Sequence, residues 1–227
     1  MVRLVLFDID GTLIRTGGAG IRAFARVFAT EFGAADGFEK LKFAGRTDRS
    51  LVREFFTMHG ISATEQNFSR FFERYVFWLD HIMKENKSEV CAGVWQFLDA
   101  LTALNEPPIL GLLTGNIRLG AEIKLRQLGL WERFETGAFA DDHEDRPQIA
   151  AIARQRASRI LKRDLPGDEV LVIGDTPLDI HCARAIGAKV LAVATGGASL
   201  DELKRHHPDW AVESLAQVTP RELGLGN

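Results

Sequence analysis

Two acidic side chains near the N-terminus, Asp8 and Asp10, stand where reactive chemistry would be easiest to arrange. They close the run Leu4-Val5-Leu6-Phe7-Asp8-Ile9-Asp10-Gly11-Thr12, in which almost unbroken apolar residues stop abruptly at a carboxylate. Such a run predicts a strand buried on both faces of a parallel sheet, with its C-terminal end opening into a crevice. Two carboxylates two residues apart repel each other unless a cation or a shared proton neutralises them, and a metal is the simplest relief. Gly11 permits a tight turn and close approach of the backbone to a ligand, and the amides just past Asp8 are placed to form an anion-binding nest for a phosphate. The competing reading is an ordinary acidic turn, because Asp and Gly are common turn residues.

Two further apolar runs end in the same way. Ile109-Leu110-Gly111-Leu112-Leu113 stops at Thr114, and Val170-Leu171-Val172-Ile173 stops at Gly174-Asp175. Ligands of open α/β sheets lie outside the carboxyl ends of the strands, so Asp8, Thr114 and Asp175 are expected to converge in one crevice. Their chemistry is complementary: Asp8 a candidate nucleophile, Asp10 an acid and base, Thr114 a hydroxyl donor to a phosphoryl oxygen, Asp175 a hard oxygen ligand for Mg²⁺. Asp179, one helical turn further on, is expected at the same end of the sheet, where it could hold a metal-bound water.

The elements that must position these groups alternate. After Thr12 the pattern is helical three times over: Ile21 to Phe32 closed by Gly33, a helix following Arg46-Thr47-Asp48 and stopping at Gly60, and a third opened by a capping box, Ser62-Ala63-Thr64-Glu65. The third carries one stripe of Phe68, Phe71, Phe72, Tyr75, Leu79, Ile82 and Met83, taken as core. These segments predict a small helical domain over 16–87 inserted into a core of 1–15 and 88–227. From Val94 onward helices and strands alternate: a helix from Val94 to Leu104, one from Ile117 to Leu128 capped by Asn116, and one from Pro147 to about Lys162. The next begins at Thr176-Pro177, a strand runs from Lys189 to Val193, a second capping box begins at Ser199, and Trp210-Ala211-Val212 is a short last strand. The pattern specifies an α/β fold, a doubly wound, mostly parallel sheet, because parallel neighbours require crossovers.

With 227 residues, 46% of them hydrophobic, the chain can bury a sizeable core. A net charge of -3 supplies no basic field for nucleic acid, and no apolar run approaches the length of a membrane span. Two cysteines, Cys91 and Cys182, and the lack of an export signal set the default of a reduced, cytoplasmic protein. The loop Asp141-Asp142-His143-Glu144-Asp145 reads as a solvated acidic loop in preference to a metal site, with His143 at most a rim contact.

The chain resembles the haloacid dehalogenase superfamily of phosphoaspartate-forming hydrolases, most closely its phosphoglycolate phosphatase-like members with an alpha-helical cap. The resemblance rests on four regions: Asp8 to Thr12, Thr114-Gly115-Asn116, Arg146, and Gly174-Asp175-Thr176-Pro177-Leu178-Asp179. It implies a Rossmann-like core and a Mg²⁺-dependent phosphatase acting on a small phosphomonoester through an aspartyl-phosphate. It further implies catalytic Asp8, Asp10, Thr114 and Arg146, phosphate contacts at Gly11, Thr12, Thr114, Gly115 and Asn116, and a metal held by Asp8, Asp10, Asp175 and Asp179. Arg46, in a polar stretch leading into an insert helix, is a candidate contact for an anionic part of the substrate. The family usually has Lys where Arg146 stands, so Arg146 either serves that post with a different geometry or balances the acidic loop on the surface. A sugar phosphomutase would keep all four regions. A haloacid dehalogenase would not need Asp10, and a phospho-receiver signalling module would carry no helical insert. The expected partner is a small phosphate ester, with neither nucleic acid nor membrane, and the chain is expected to be a monomer or homodimer.

Overall fold

The computed structural model describes residues 1–226, with the side chain of Glu39 excepted. Six parallel strands, β1 (Leu4–Phe7), β4 (Ile109–Leu113), β5 (Thr136–Ala138), β6 (Val170–Gly174), β7 (Lys189–Val193) and β8 (Trp210–Val212), form one sheet in the order β5-β4-β1-β6-β7-β8. β1 is central, with Phe7 in register with Leu112 of β4 and Ile173 of β6. All four of its side chains are fully buried, as the continuous apolar run requires when both faces are covered.

The alternation of a strand sorts those side chains between two cores. Val5 and Phe7 pack with α4 (Val94–Thr102) and α5 (Arg118–Gln127) on one face. Leu4 and Leu6 pack with α6 (Arg146–Leu161), α7 (Pro177–Ala185) and α8 (Leu200–Arg205) on the other. This is the doubly wound α/β arrangement that the alternation of elements predicts.

Between β1 and α4 lie α1 (Ala19–Phe32), α2 (Asp48–Met58) and α3 (Glu65–Glu85), which share a third core. It is built from rings: Phe28 stacks on Phe55 at 3.8 Å, and Phe24 meets Phe71 at 5.0 Å and Tyr75 at 4.8 Å. Burying each such side chain contributes about 1.5–3 kcal/mol, and Ile117 and Ala140 at the end of the sheet join the same core. The two chain crossings into this insert pair with each other as an antiparallel ribbon, β2 (Ile14–Arg15) with β3 (Glu89–Val90). The sequence gives no sign of a ribbon of two residues a side.

Two helix starts differ from expectation. Thr64, not Ser62, caps α3, accepting from Asn67 N at 3.2 Å, while the Ser62 carbonyl accepts from the Asn67 side chain. The start of α5 has no cap from Asn116, whose side chain is used elsewhere. Among the described residues, no helix is long and apolar enough to cross a membrane.

Candidate active site

Because β4, β1 and β6 are adjacent, the residues that follow them, Thr114, Asp8 and Asp175, meet at one end of the sheet. They line a cavity of about 370 Å³ between the sheet and the insert. All three are buried, at 1%, 5% and 3% exposure. Asp179 joins them from the first turn of α7, and carboxylate oxygens of Asp8, Asp175 and Asp179 lie within 4.8 Å of one another.

Gathering these carboxyls in a buried crevice favours their protonated forms. Burial, with Asp179 adding to it and Arg146 opposing it, pushes the Asp8 carboxyl up to about 7. Burial and the neighbouring Asp179 and Asp8 push Asp175 up to about 8. One cation is built in: Arg146 is 7% exposed and donates to Asp179 Oδ1, with the same nitrogen 3.6 Å from Asp8 Oδ1. Arg146 is therefore not a surface counter-charge to the acidic loop. A donor set of hard carboxylate oxygens with a residual excess of negative charge fits a divalent ion such as Mg²⁺.

The individual ligands are not equivalent. Asp179 Oδ2 accepts from Thr176 N at 3.0 Å and Thr176 Oγ1 at 2.7 Å, closing the capping box of α7, while its Oδ1 takes Arg146. Asp175 Oδ1 accepts from Thr12 Oγ1 at 2.8 Å. Thr12 thus orients Asp175 from outside the cavity and is not brought to a phosphate position. Gly11 has φ +90°, and a methyl built on it would lie 2.5 Å from Asp175 Oδ2, so only glycine fits. Its amide bonds the Ile14 carbonyl at 2.9 Å and is not part of an anion nest.

Asp10 turns away from this cluster. Its Oδ2 accepts from Lys124 Nζ at 2.6 Å and Asn116 Nδ2 at 2.8 Å, so its carboxylate stands outside the acidic trio. Asn116 also donates to Thr114 Oγ1 at 2.8 Å and accepts from Lys124 at 2.6 Å. Since Thr114 Oγ1 accepts from Asn116, its own hydrogen is left to donate into the cavity. Lys124 is 4% exposed. Sequence reasoning passed over it, although it occupies a buried position of α5 beside Ala121 and Leu125. A charge inside an apolar stripe is a signal that something specific neutralises it.

The insert lies across the mouth. Asp48 N donates to Gly115 O at 2.7 Å, and Asp48 Oδ2 accepts from Ile117 N at 2.8 Å, while Asp141 Oδ2 accepts from Arg118 N, so the first amides of α5 are satisfied without Asn116. A methyl on Gly115 would sit 2.1 Å from Arg46 O, so the glycine of that strand end admits the insert's loop. Thr47 Oγ1 donates to Glu144 O, and Glu144 is shared by Arg49 and Arg53. The hydrogen bond from Arg53 holds the Glu144 carboxyl below its usual range. The acidic loop is accordingly a docking point for the insert and not a freely solvated run: Asp142 pairs with Arg156, while His143 is exposed. Arg46 lines the cavity but is paired with Glu54.

A crevice of carboxylates at the strand ends of a doubly wound sheet, roofed by a helical insert, defines a class. Residues 5–193 match the family described as haloacid dehalogenase-like hydrolase, and the chain belongs to that family. It is a hydrolase. Among its relatives, pyrophosphatase PpaX of Oceanobacillus iheyensis is 26% identical, with 96% of this chain and 95% of the relative covered. Phosphoglycolate phosphatase of Synechococcus elongatus is 24% identical over 96% and 95%. In structure the chain is similar to beta-phosphoglucomutase from Clostridium difficile, with a TM-score of 0.76 at 17% identity, covering 99% and 96%.

Proposed function

We propose that the protein is a Mg²⁺-dependent phosphatase that hydrolyses a small phosphomonoester through an aspartyl-phosphate on Asp8. The observation that carries this is the division of labour between two acids two residues apart. Asp8 is buried against Arg146, whereas the Asp10 side chain is 41% exposed to the cavity and held by Lys124. Relatives named as phosphatases over nearly the whole chain support the same reading.

An Asp8 oxygen attacks phosphorus as the ester P–O bond breaks, and Asp10 passes its proton to the departing alcohol oxygen. Asp10, now a carboxylate, takes a proton from water as that water attacks the aspartyl-phosphate, releasing phosphate and restoring Asp8. Thr114 donates its hydroxyl to a phosphoryl oxygen, and Arg146 offsets charge at Asp8. Asp8 and Asp175, with the Asp10 carbonyl and with Asp179 behind them, would hold the ion. When bound, it would neutralise the charge that otherwise repels the incoming phosphate. Residues 16–87 serve as the cap, excluding water and meeting the leaving group.

Phosphate release from a panel of small phosphoesters, with and without Mg²⁺, tests the proposal. Release that requires Mg²⁺ is expected. Isomerisation of a hexose phosphate in place of release would reassign the protein as a phosphomutase.

A further inference from the structure

The wall of the cavity opposite Asp8 belongs to the insert, and its charge balance bears on which alcohol departs. The basic side chains lining the cavity, among the described residues, are Arg15, Arg46, Lys124 and Arg146. Each already faces a carboxylate: Arg15 that of Glu89 at 3.4 Å, Arg46 that of Glu54, Lys124 that of Asp10 at 2.6 Å, and Arg146 those of Asp179 and Asp8. Among the described residues, no cation lining the cavity is without a carboxylate partner.

The wall adds a carboxyl of its own. Asp48 is 8% exposed and lines the cavity with one oxygen, Oδ2, occupied by Ile117 N. Burial pushes its carboxyl up to about 7, so the site already disfavours one negative charge, and an anion placed there would face the same desolvation and, once Asp48 ionises, its repulsion as well.

What the wall does offer is a hydroxyl. Tyr75 is 1% exposed, its ring fixed against Phe24 at 4.8 Å, and its Oη, which makes no hydrogen bond to a described residue, is not sealed in the core but keeps accessible surface at the cavity. A buried phenol normally finds one. Tyr75 lines the cavity, and a methyl built on Gly20 would lie 3.6 Å from Tyr75 Oη and 3.5 Å from Lys124 Nζ. The missing side chain of Gly20 therefore leaves a gap between the phenol and the Lys124–Asp10 pair. Phe24 and Leu51 give the cavity apolar lining. At about 370 Å³ the whole cavity is at the small end of ligand sites, which run from roughly 300 to 1,000 Å³.

We propose that the leaving group is a small uncharged alcohol bearing at least one further hydroxyl, a polyol or short sugar, read by Tyr75 Oη and the open oxygen of Asp48. The inference rests on the phosphatase reading above and narrows it. It sets the chain apart from a pyrophosphatase or a phosphoglycolate phosphatase, whose leaving groups are themselves anions.

The test compares kcat/KM, with Mg²⁺ present, for glycerol 1-phosphate, erythritol 4-phosphate, n-propyl phosphate, phosphoglycolate and pyrophosphate, with p-nitrophenyl phosphate as a general phosphatase readout. The polyol phosphates are expected to exceed both anionic leaving groups and n-propyl phosphate by about tenfold or more, the worth of one good hydrogen bond or one unpaired charge. Tyr75→Phe, which keeps the ring, should bring the ratio of glycerol 1-phosphate to n-propyl phosphate close to one. Asp48→Asn should narrow the gap to phosphoglycolate. A preference for phosphoglycolate or pyrophosphate, or a ratio that Tyr75→Phe does not move, overturns the proposal while the phosphatase reading stands. No release from any ester, p-nitrophenyl phosphate included, brings down both.

Discussion

Lys124 Nζ donates to Asp10 Oδ2 at 2.6 Å, a contact that spans 114 residues of chain and sets the orientation of the proposed acid and base. With Asn116 on the same oxygen, the Asp10 carboxylate has one fixed edge, leaving the other to reach a leaving oxygen. Lys124→Met removes the fixture without touching Asp8. The expected result is a loss in kcat of about 10- to 100-fold for an alkyl phosphate, part of the usual worth of general catalysis. The loss should be smaller for an aryl phosphate, whose leaving group needs less protonation. Equal losses on the two esters would mean that Lys124 acts on the phosphoryl group and not through Asp10.

The two acids are separated by the same leaving-group series. Asp8→Asn should abolish turnover of every ester and yield no trappable phosphoenzyme. Asp10→Asn should slow alkyl ester hydrolysis by roughly two to four orders of magnitude. It should still form appreciable phosphoenzyme from p-nitrophenyl phosphate. Rapid-quench trapping of the acyl phosphate checks both, and turnover in Asp8→Asn would refute the covalent route.

Arg146 is the built-in cation of the acidic trio, so its removal strikes stability and rate together. Breaking a buried pair by deleting one partner costs about 3–5 kcal/mol, and Arg146→Ala is expected to lower the urea midpoint accordingly. Arg146→Lys should recover much of the stability but less of the rate, because an ammonium on a different stem does not fall where the one guanidinium nitrogen meets both Asp179 and Asp8. Urea denaturation and phosphate release, measured on both variants, decide this.

Asp48 provides a pH signature in stability. In the folded chain its carboxyl holds a proton up to about 7, against 3.8 when unfolded. Between those values the folded state binds more protons, so stability falls as pH rises across the window and levels off above it. Asp48→Asn can still accept from Ile117 N, and removes the titration. The variant should therefore lose less stability than the parent between pH 5 and pH 8, by at most a few kcal/mol. Denaturation at fixed Mg²⁺ measures the difference, and identical pH profiles would exclude Asp48 as the source.

Strand ends were legible in the sequence because burial on both faces writes a continuous apolar run that a carboxylate or threonine visibly interrupts, as at Asp8, Thr114 and Asp175. Adjacency then follows from the parallel order. The roles of Asn116, Lys124 and Glu144 were not legible, since each is fixed by a partner remote in the chain. Local rules made Asn116 a cap, but Asp48 and Asp141 take the first amides of α5, and the Asn116 side chain goes to Asp10. Thr12 is similar: next to the motif in sequence, it is turned outward by the tight bend at Gly11 and holds Asp175 from behind. The acidic loop looked merely dense because the arginines that give Glu144 its purpose, Arg49 and Arg53, lie more than ninety residues earlier.

The β2–β3 ribbon determines how the helical insert can travel. Its two crossings are zipped together, Ile14 to Val90 and Arg15 to Glu89, with Cys91 N bonded to Leu13 O at 2.9 Å. A two-ply strap flexes easily across its flat face, whereas splaying or shearing it would break those bonds. The insert is thus allowed to swing but not to swivel. Arg15 of the strap donates to Thr195 O at 2.9 and 2.7 Å, and Thr195 Oγ1 donates to Gly11 O at 2.6 Å. The pivot is bolted to the very turn that carries Asp10. A swing about this strap would return Tyr75 and Asp48 to one landing place above Asp10, so the proposed selectivity at the roof and proton transfer at the floor would share a single mechanical reference.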